Sequence, residues 1–168
     1  MAPAAPALPP EVCDFVQGGV SITIASRDDR LVPSLAKGVG CRVAPTHDGV
    51  EVLLFANTAE ALLRDIAAHR QAAVVFSQPS SNRTLQLKGR DLAVRPAQPT
   101  DVALVRRWML LFTDDLRKLG WDRAFVEGVF WHDPVHLVVL RFTPEGAFQQ
   151  TPGPQAGQAM PMAPGAAR

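Results

Sequence analysis

The sequence predicts a mainly β, α+β domain: a closed or split barrel of about six to eight antiparallel strands flanked by two helices. Two observations carry that expectation. Short segments in which apolar and polar residues alternate recur from residue 20 onward, the period-two pattern of strands with one buried face. Between them lie two stretches with apolar residues at helical spacing. The resulting order ββββ–α–ββ–α–ββ leaves consecutive strands close enough to pair antiparallel.

The first strand is expected over 20–25, where Val-Ser-Ile-Thr-Ile-Ala alternates, and Ser26-Arg-Asp-Asp-Arg30 reads as a turn. A second extended stretch covers 31–37. Gly38-Val-Gly40 permits a bulge or a close backbone approach before the strand resumes at Cys41-Arg-Val-Ala44. Asp48-Gly49 supplies the positive φ of a tight hairpin, answered by a strand over 50–56. Thr58 is the expected cap of a helix that buries Ala59, Leu62, Leu63, Ile66 and Ala67 and exposes Arg64, Asp65, His69 and Arg70.

A short apolar strand over 72–77 and a Gln78-to-Asn82 loop lead into a long strand expected over 83–94. On it Thr84, Gln86, Lys88 and Arg90 form a polar row, a candidate ligand face. Thr100 is the expected cap of a second helix, with Val105, Trp108, Met109, Phe112, Leu116 and Leu119 as its core stripe. Strands over 125–131 and 135–142 follow, separated by His132-Asp-Pro134. Residues 1–12 read as a disordered lead-in, residues 13–150 as the domain, and residues 151–168 as a Pro/Gly/Ala-rich tail.

The bulk numbers exclude several classes. With 17 basic and 16 acidic residues the net charge is +1, without the basic excess of a nucleic-acid-binding protein. No apolar run approaches the roughly 20 residues of a membrane span, so no membrane partner is expected. The proline-broken start lacks the features of a signal peptide, which makes the cytoplasm the expected location. Cys13 and Cys41 have no metal spacing and read as reduced thiols, although a disulfide between them is the alternative. His47, His69, His132 and His136 show no helix-face metal spacing, so no metal is expected. No Gly-x-Ser-x-Gly, Walker or dinucleotide glycine motif occurs.

Three segments carry a resemblance. Arg42-Val43 precedes the Asp-Gly turn and is answered by Leu54-Phe-Ala-Asn57 running into a helix. Asn82-Arg-Thr-Leu-Gln-Leu-Lys-Gly89 looks like an Arg-Gln-x-x-x-x-Gly strand. Leu140-Arg-Phe-Thr-Pro-Glu145, followed by Phe148-Gln-Gln150, looks like a closing strand with a Pro-Glu…Phe-Trp-Gln segment. In this order they resemble the pyridoxamine 5′-phosphate oxidase-like, FMN-binding split-barrel family.

That resemblance implies FMN as cofactor, held in a site shared between the subunits of a homodimer. It puts Arg42, Val43, Phe55 and Ala56 against the flavin ring and Asn57 and Thr58 at the phosphate-facing helix start. Arg83, Thr84 and Lys88 would supply charge and hydrogen bonds, and Gln149 would fall near the family's ring-contacting tryptophan. Glu60-Ala-Leu62 stands where the family has a Ser-Arg-Lys-like triplet, so the phosphate falls to Arg83, Lys88 or Arg42. The chain has no tyrosine and has Thr151-Pro-Gly-Pro-Gln-Ala-Gly157 where the oxidases carry an Arg-Leu-His run, which argues against vitamin B6 oxidation.

No catalytic residue is identifiable. His132-Asp133 could form a general-base pair, but a turn accounts for it equally well. Flavin chemistry needs no protein nucleophile. The resulting expectation is an FMN-dependent oxidoreductase with a small-molecule electron donor or acceptor. The alternatives are a non-catalytic binder of flavin, haem or another planar ligand, and a structural dimer without cofactor.

Overall fold

The computed structural model describes residues 6–163. Among them, strands β1 (Ser21–Arg27), β2 (Pro33–Gly38), β5 (Ala72–Ser77), β6 (Thr84–Gly89), β9 (Gly146–Gln149) and β10 (Ala159–Met160) form one sheet, in the order β10-β9-β6-β5-β1-β2. Strands β3 (Gly40–Val43), β4 (Val50–Phe55), β7 (Ala93–Pro96) and β8 (Leu137–Phe142) form the other, in the order β3-β4-β8-β7. Every pairing is antiparallel. The mainly β, α+β split barrel is therefore what the chain forms, with the short β9 and β10 added at one edge.

Alternation places the core between the sheets. Ile22 and Ile24 of β1, Val74 and Phe76 of β5, and Leu85 and Leu87 of β6 share the core with Val52, Leu54 and Leu140. β4 is buried at five of its six positions, because α1 and α3 cover the other side of its sheet. At Gly38 a Cβ would stand 2.7 Å from Ile22 Cγ2, so only glycine lets β2 bend across the barrel into β3.

Helix α1 (Pro10–Gln17) corrects the expected disordered lead-in. Pro10 occupies the first helical position, where its missing N–H costs nothing, and Leu8, Val12, Cys13 and Val16 are buried. Residues 1–5 lie outside the described part. The tail is likewise incorporated: Ala163 bridges Ala7, and Thr151 hydrogen-bonds to β6. Residues 164–168 lie outside the described part.

The first expected helix is α2 (Glu60–His69), preceded by a 3-10 turn over 56–58. Thr58 donates its hydroxyl to Phe55 O instead of capping α2, and Ala59 takes the cap position. Asp65, expected outside, is buried and accepts from Ser34 at 2.6 Å, while Ala67 is exposed. The second, α3 (Pro99–Arg117), is capped two residues earlier than expected, by Gln98 in a capping box with Asp101.

The strand expected over 125–131 is a helix, α4 (Arg123–Phe130). Asp122 accepts from Phe125 N at 2.9 Å, and Arg123 pairs with Glu127 one turn on. The long strand expected over 83–94 is two strands in different sheets. The 44–49 hairpin turns on His47 (φ 59°), not on a positive φ at Gly49.

Gly19 marks the closest crossing in the fold. A Cβ there would lie 2.1 Å from the Leu111 carbonyl carbon, so α3 presses on the bare α1–β1 link. One turn earlier on α3, Trp108 Nε1 donates to Val20 O at 2.8 Å, closing the same seam.

Candidate functional site: three grooves and a buried ion cluster

The residues singled out by sequence fall in four places. Phe55 and Thr58 share a groove of about 320 Å³ at the open end of the barrel, with Lys37 and Val39 from the β2–β3 arm and His132 beyond α4. Phe55 ends β4 with its ring buried and 5.2 Å from the His132 ring. The chain then tightens into the 3-10 turn, which leaves Asn57 and Thr58 exposed and Ala56 half-buried beside the groove. No side chain caps the start of α2, and Glu60 lies exposed in its first turn, where an acidic residue complements the helix dipole. Lys37 donates to Thr23 Oγ1 at 3.0 Å and forms no ion pair among the described residues.

Arg42 and Val43 have other partners. Arg42 lies opposite Glu51 in the β3–β4 ladder, pairs with its carboxylate, and reaches Asp101 Oδ1 at 3.0 Å. Arg95 of β7 joins the same two acids, at 2.8 Å to Asp101 and 3.1 Å to Glu51. Asp101, at the start of α3, is fully buried and also accepts from Gln98 N. Burial opposes the charge on both carboxylates, but the hydrogen bonds from Arg95 and Arg42 outweigh it and hold them below the usual carboxylate range. The Arg42 guanidinium, expected to be open to a phosphate, is thus taken up in a two-acid, two-base cluster. The Val43 amide donates to Gln17 Oε1 at 3.0 Å.

Arg83 and Lys88 are separated, as an odd spacing along a strand requires. Arg83 lies 4.3 Å over the Phe15 ring in a groove formed with the α1–β1 link and α3. Lys88 lies 4.5 Å over the Phe148 ring in a shallow groove on the outer face of the large sheet. Both are exposed, and neither forms an ion pair among the described residues. Thr84 and Gln149 come together through Thr151, which accepts from Thr84 N at 3.0 Å and donates to Gln149 Oε1 at 3.2 Å.

His132 and Asp133 form no pair: Asp133 accepts from Val135 N, capping a 3-10 turn over 134–136. Cys13 and Cys41 are free, buried thiols, and burial pushes both up, away from the thiolate. No three His, Cys, Asp or Glu side chains among the described residues group as a metal site requires. No helix among them is long and apolar enough to cross a membrane.

Lys37, Glu51, Arg95 and Asp101 escaped the sequence reading. Alternation along β2 places Lys37 on its outward face, but only the fold brings that face beside Thr58. Nothing in the spacing of 42, 51, 95 and 101 shows that they meet.

Together, the two antiparallel sheets define a split β-barrel. Solved structures share it over most of their length. HupZ from Group A Streptococcus superposes with a TM-score of 0.53 at 11% identity, covering 89% of this chain and 99% of that one. A putative pyridoxamine 5′-phosphate oxidase from Lactobacillus delbrueckii gives 0.51 at 12% identity, covering 84% and 93%. An F420 reductase gives 0.50 at 12% identity, covering 80% and 93%. At such identities the likeness is one of fold. No protein-family model matches the chain, and no curated protein matches it.

Proposed function

We propose that this chain is an FMN-binding protein that acts as an FMN-dependent oxidoreductase in the cytoplasm, as a homodimer with a small-molecule electron donor or acceptor. The observation that carries the reading is the groove fronted by Phe55, Thr58, Lys37 and His132, at the strand-to-helix passage where the resemblance puts the flavin. At about 320 Å³ it is at the small end of ligand sites, suited to part of a flavin and open for a second subunit to cover the rest. When bound, the isoalloxazine ring itself accepts and donates electrons.

The chain's own residues would divide the binding. Phe55 and Val39 give an apolar wall, Thr58 a hydroxyl beside the uncapped start of α2, and Lys37 a cation for the phosphate. Arg83, Thr84, Lys88 and Gln149 stand on the other sheet, outside this groove, and would reach the ligand from the second copy. Vitamin B6 phosphates remain poor substrate candidates, because the tyrosine contacts are absent throughout the chain.

A visible spectrum of the purified protein tests the proposal. Flavin bands, with FMN released on denaturation, or saturable FMN uptake by colourless protein, would support it. Protein that neither carries nor takes up flavin overturns it, and a Soret band would replace FMN with haem. Light scattering at micromolar concentration is expected to give twice the chain mass, whereas a monomer would remove the shared site.

A further inference from the structure

Another cleft lies between α3 and α4. It encloses about 640 Å³, in the middle of the range for small-molecule sites. Met109, Leu110 and Trp131 line it with apolar surface, together with Arg106 of α3 and Arg123 of α4. Two features set it apart from a packing defect. Thr113 lines it at 5% exposure, yet its hydroxyl makes no side-chain hydrogen bond among the described residues. That hydroxyl is not sealed into the core, since no buried side-chain polar atom among the described residues lacks a partner, so it opens to the cleft and is free to bond to a molecule there. Arg106 has no carboxylate partner there either; its guanidinium lies 5.9 Å from the Trp131 ring centroid.

The remaining charges balance. Arg123 donates to Glu127 at 2.7 Å, so that pair is neutral and Arg106 leaves the cleft one positive charge in excess. The wall chemistry therefore asks for an apolar, preferably flat body, one anionic end for Arg106, and an acceptor for the Thr113 hydroxyl. We infer that this cleft binds a small organic carboxylate with an aromatic body, the ring lying along Met109 and Trp131 and the carboxylate on Arg106. This site is distinct from the proposed flavin groove, which none of Arg106, Met109, Thr113 or Arg123 lines.

The test is a calorimetric titration of the full chain with 1-naphthoate and with the uncharged 1-naphthamide. Naphthoate is expected to bind about tenfold more tightly than the amide, the effect of one charge-assisted contact. Arg106→Ala should bring naphthoate down to the amide's affinity, and Met109→Trp, which fills the cleft, should abolish binding of both. Thr113→Val should weaken naphthoate severalfold while leaving the melting temperature of the free protein unchanged or raised, because it removes an unbonded hydroxyl. Equal affinities for acid and amide, full naphthoate binding by Arg106→Ala, or no saturation at millimolar concentration would each overturn the assignment. So would displacement of naphthoate by FMN, which would put the probe in the flavin groove. A protein that takes up naphthoate but no flavin leaves this site standing and removes only the other.

Discussion

Arg42 and Arg83 are both arginines on barrel strands, and the sequence offers them equally as phosphate ligands. The structure puts them in opposite situations. Arg42, with Arg95, is locked onto the carboxylates of Glu51 and Asp101, tying β3, β4, β7 and the start of α3 into one clamp. Arg83, like Lys88, rests on an aromatic face in the open and forms no ion pair among the described residues, although Glu11, Asp14, Asp114 and Asp115 line the Arg83 groove and Glu145 that of Lys88. A half-buried cation held by two carboxylates is spent on its partners, whereas an exposed one over a ring keeps its donors for a ligand. The small sheet holds its charges for architecture, and the large sheet presents them.

The largest effect that sharpens this contrast is expected from Asp101→Ala. It leaves both guanidiniums to Glu51 alone and removes their hydrogen bonds to a buried carboxylate and the α3 capping box, at a cost of about 2–4 kcal/mol. For a domain of this size that is a melting temperature lower by roughly 10 °C, read by circular dichroism. A loss below about 1 kcal/mol would reduce the clamp to a surface pairing.

Next is acid sensitivity. The folded-state pKa values of Glu51 and Asp101 lie below their unfolded ones, so their contribution is complete above the ordinary carboxylate range and is lost as pH falls through the depressed values. Stability should therefore drop steeply on acidification below about pH 4. The double variant Glu51→Gln, Asp101→Asn should flatten that limb, and an unchanged limb would place the acid-labile groups elsewhere.

On the exposed side the stability effects shrink and the binding effects appear. Arg83→Ala should change stability by about 0.5 kcal/mol or less and weaken FMN by about tenfold, with riboflavin unaffected, because only FMN carries the phosphate. Equal losses for the two ligands would remove the phosphate role. Lys88→Ala should have the smallest effect, a few-fold on FMN and almost none on melting, since its groove is shallow and open.

Much of the barrel was readable because it rests on local rules. β1, β5 and β6 alternate cleanly, and Gly38 marks the bend between two strands. The errors have physical causes. Phe125 to Trp131 is apolar enough for a strand, and only the Asp122 cap and the Arg123–Glu127 pair turn it helical. The prolines at 9 and 10 look like breakers, yet the second starts α1. The Arg83-to-Val94 run is divided because Gly89 packs against Phe142 and the chain leaves the large sheet there. For the site, the strand-to-helix passage at Phe55–Thr58 was visible in order and spacing. The division of labour between Arg42 and Arg83 was not, since it depends on carboxylates 9 and 59 residues away from Arg42.

The bare backbone crossing at Gly19 also bears on the order in which the chain folds. The bond from Trp108 to Val20 joins residues 88 apart in sequence, so the loop it closes is among the more costly to form before other contacts exist. The β1–β2 and β5–β6 hairpins close far shorter loops and can assemble first. The seam is then a latch that shuts late, alongside the comparably long-range β4–β8 ladder, and Trp108, stacked on Phe112 4.8 Å away, sits where its fluorescence records that docking. In refolding, the sheet signal in circular dichroism should lead and Trp108 burial should follow. A β-carbon at position 19 would hold the latch ajar with the local hairpins already built.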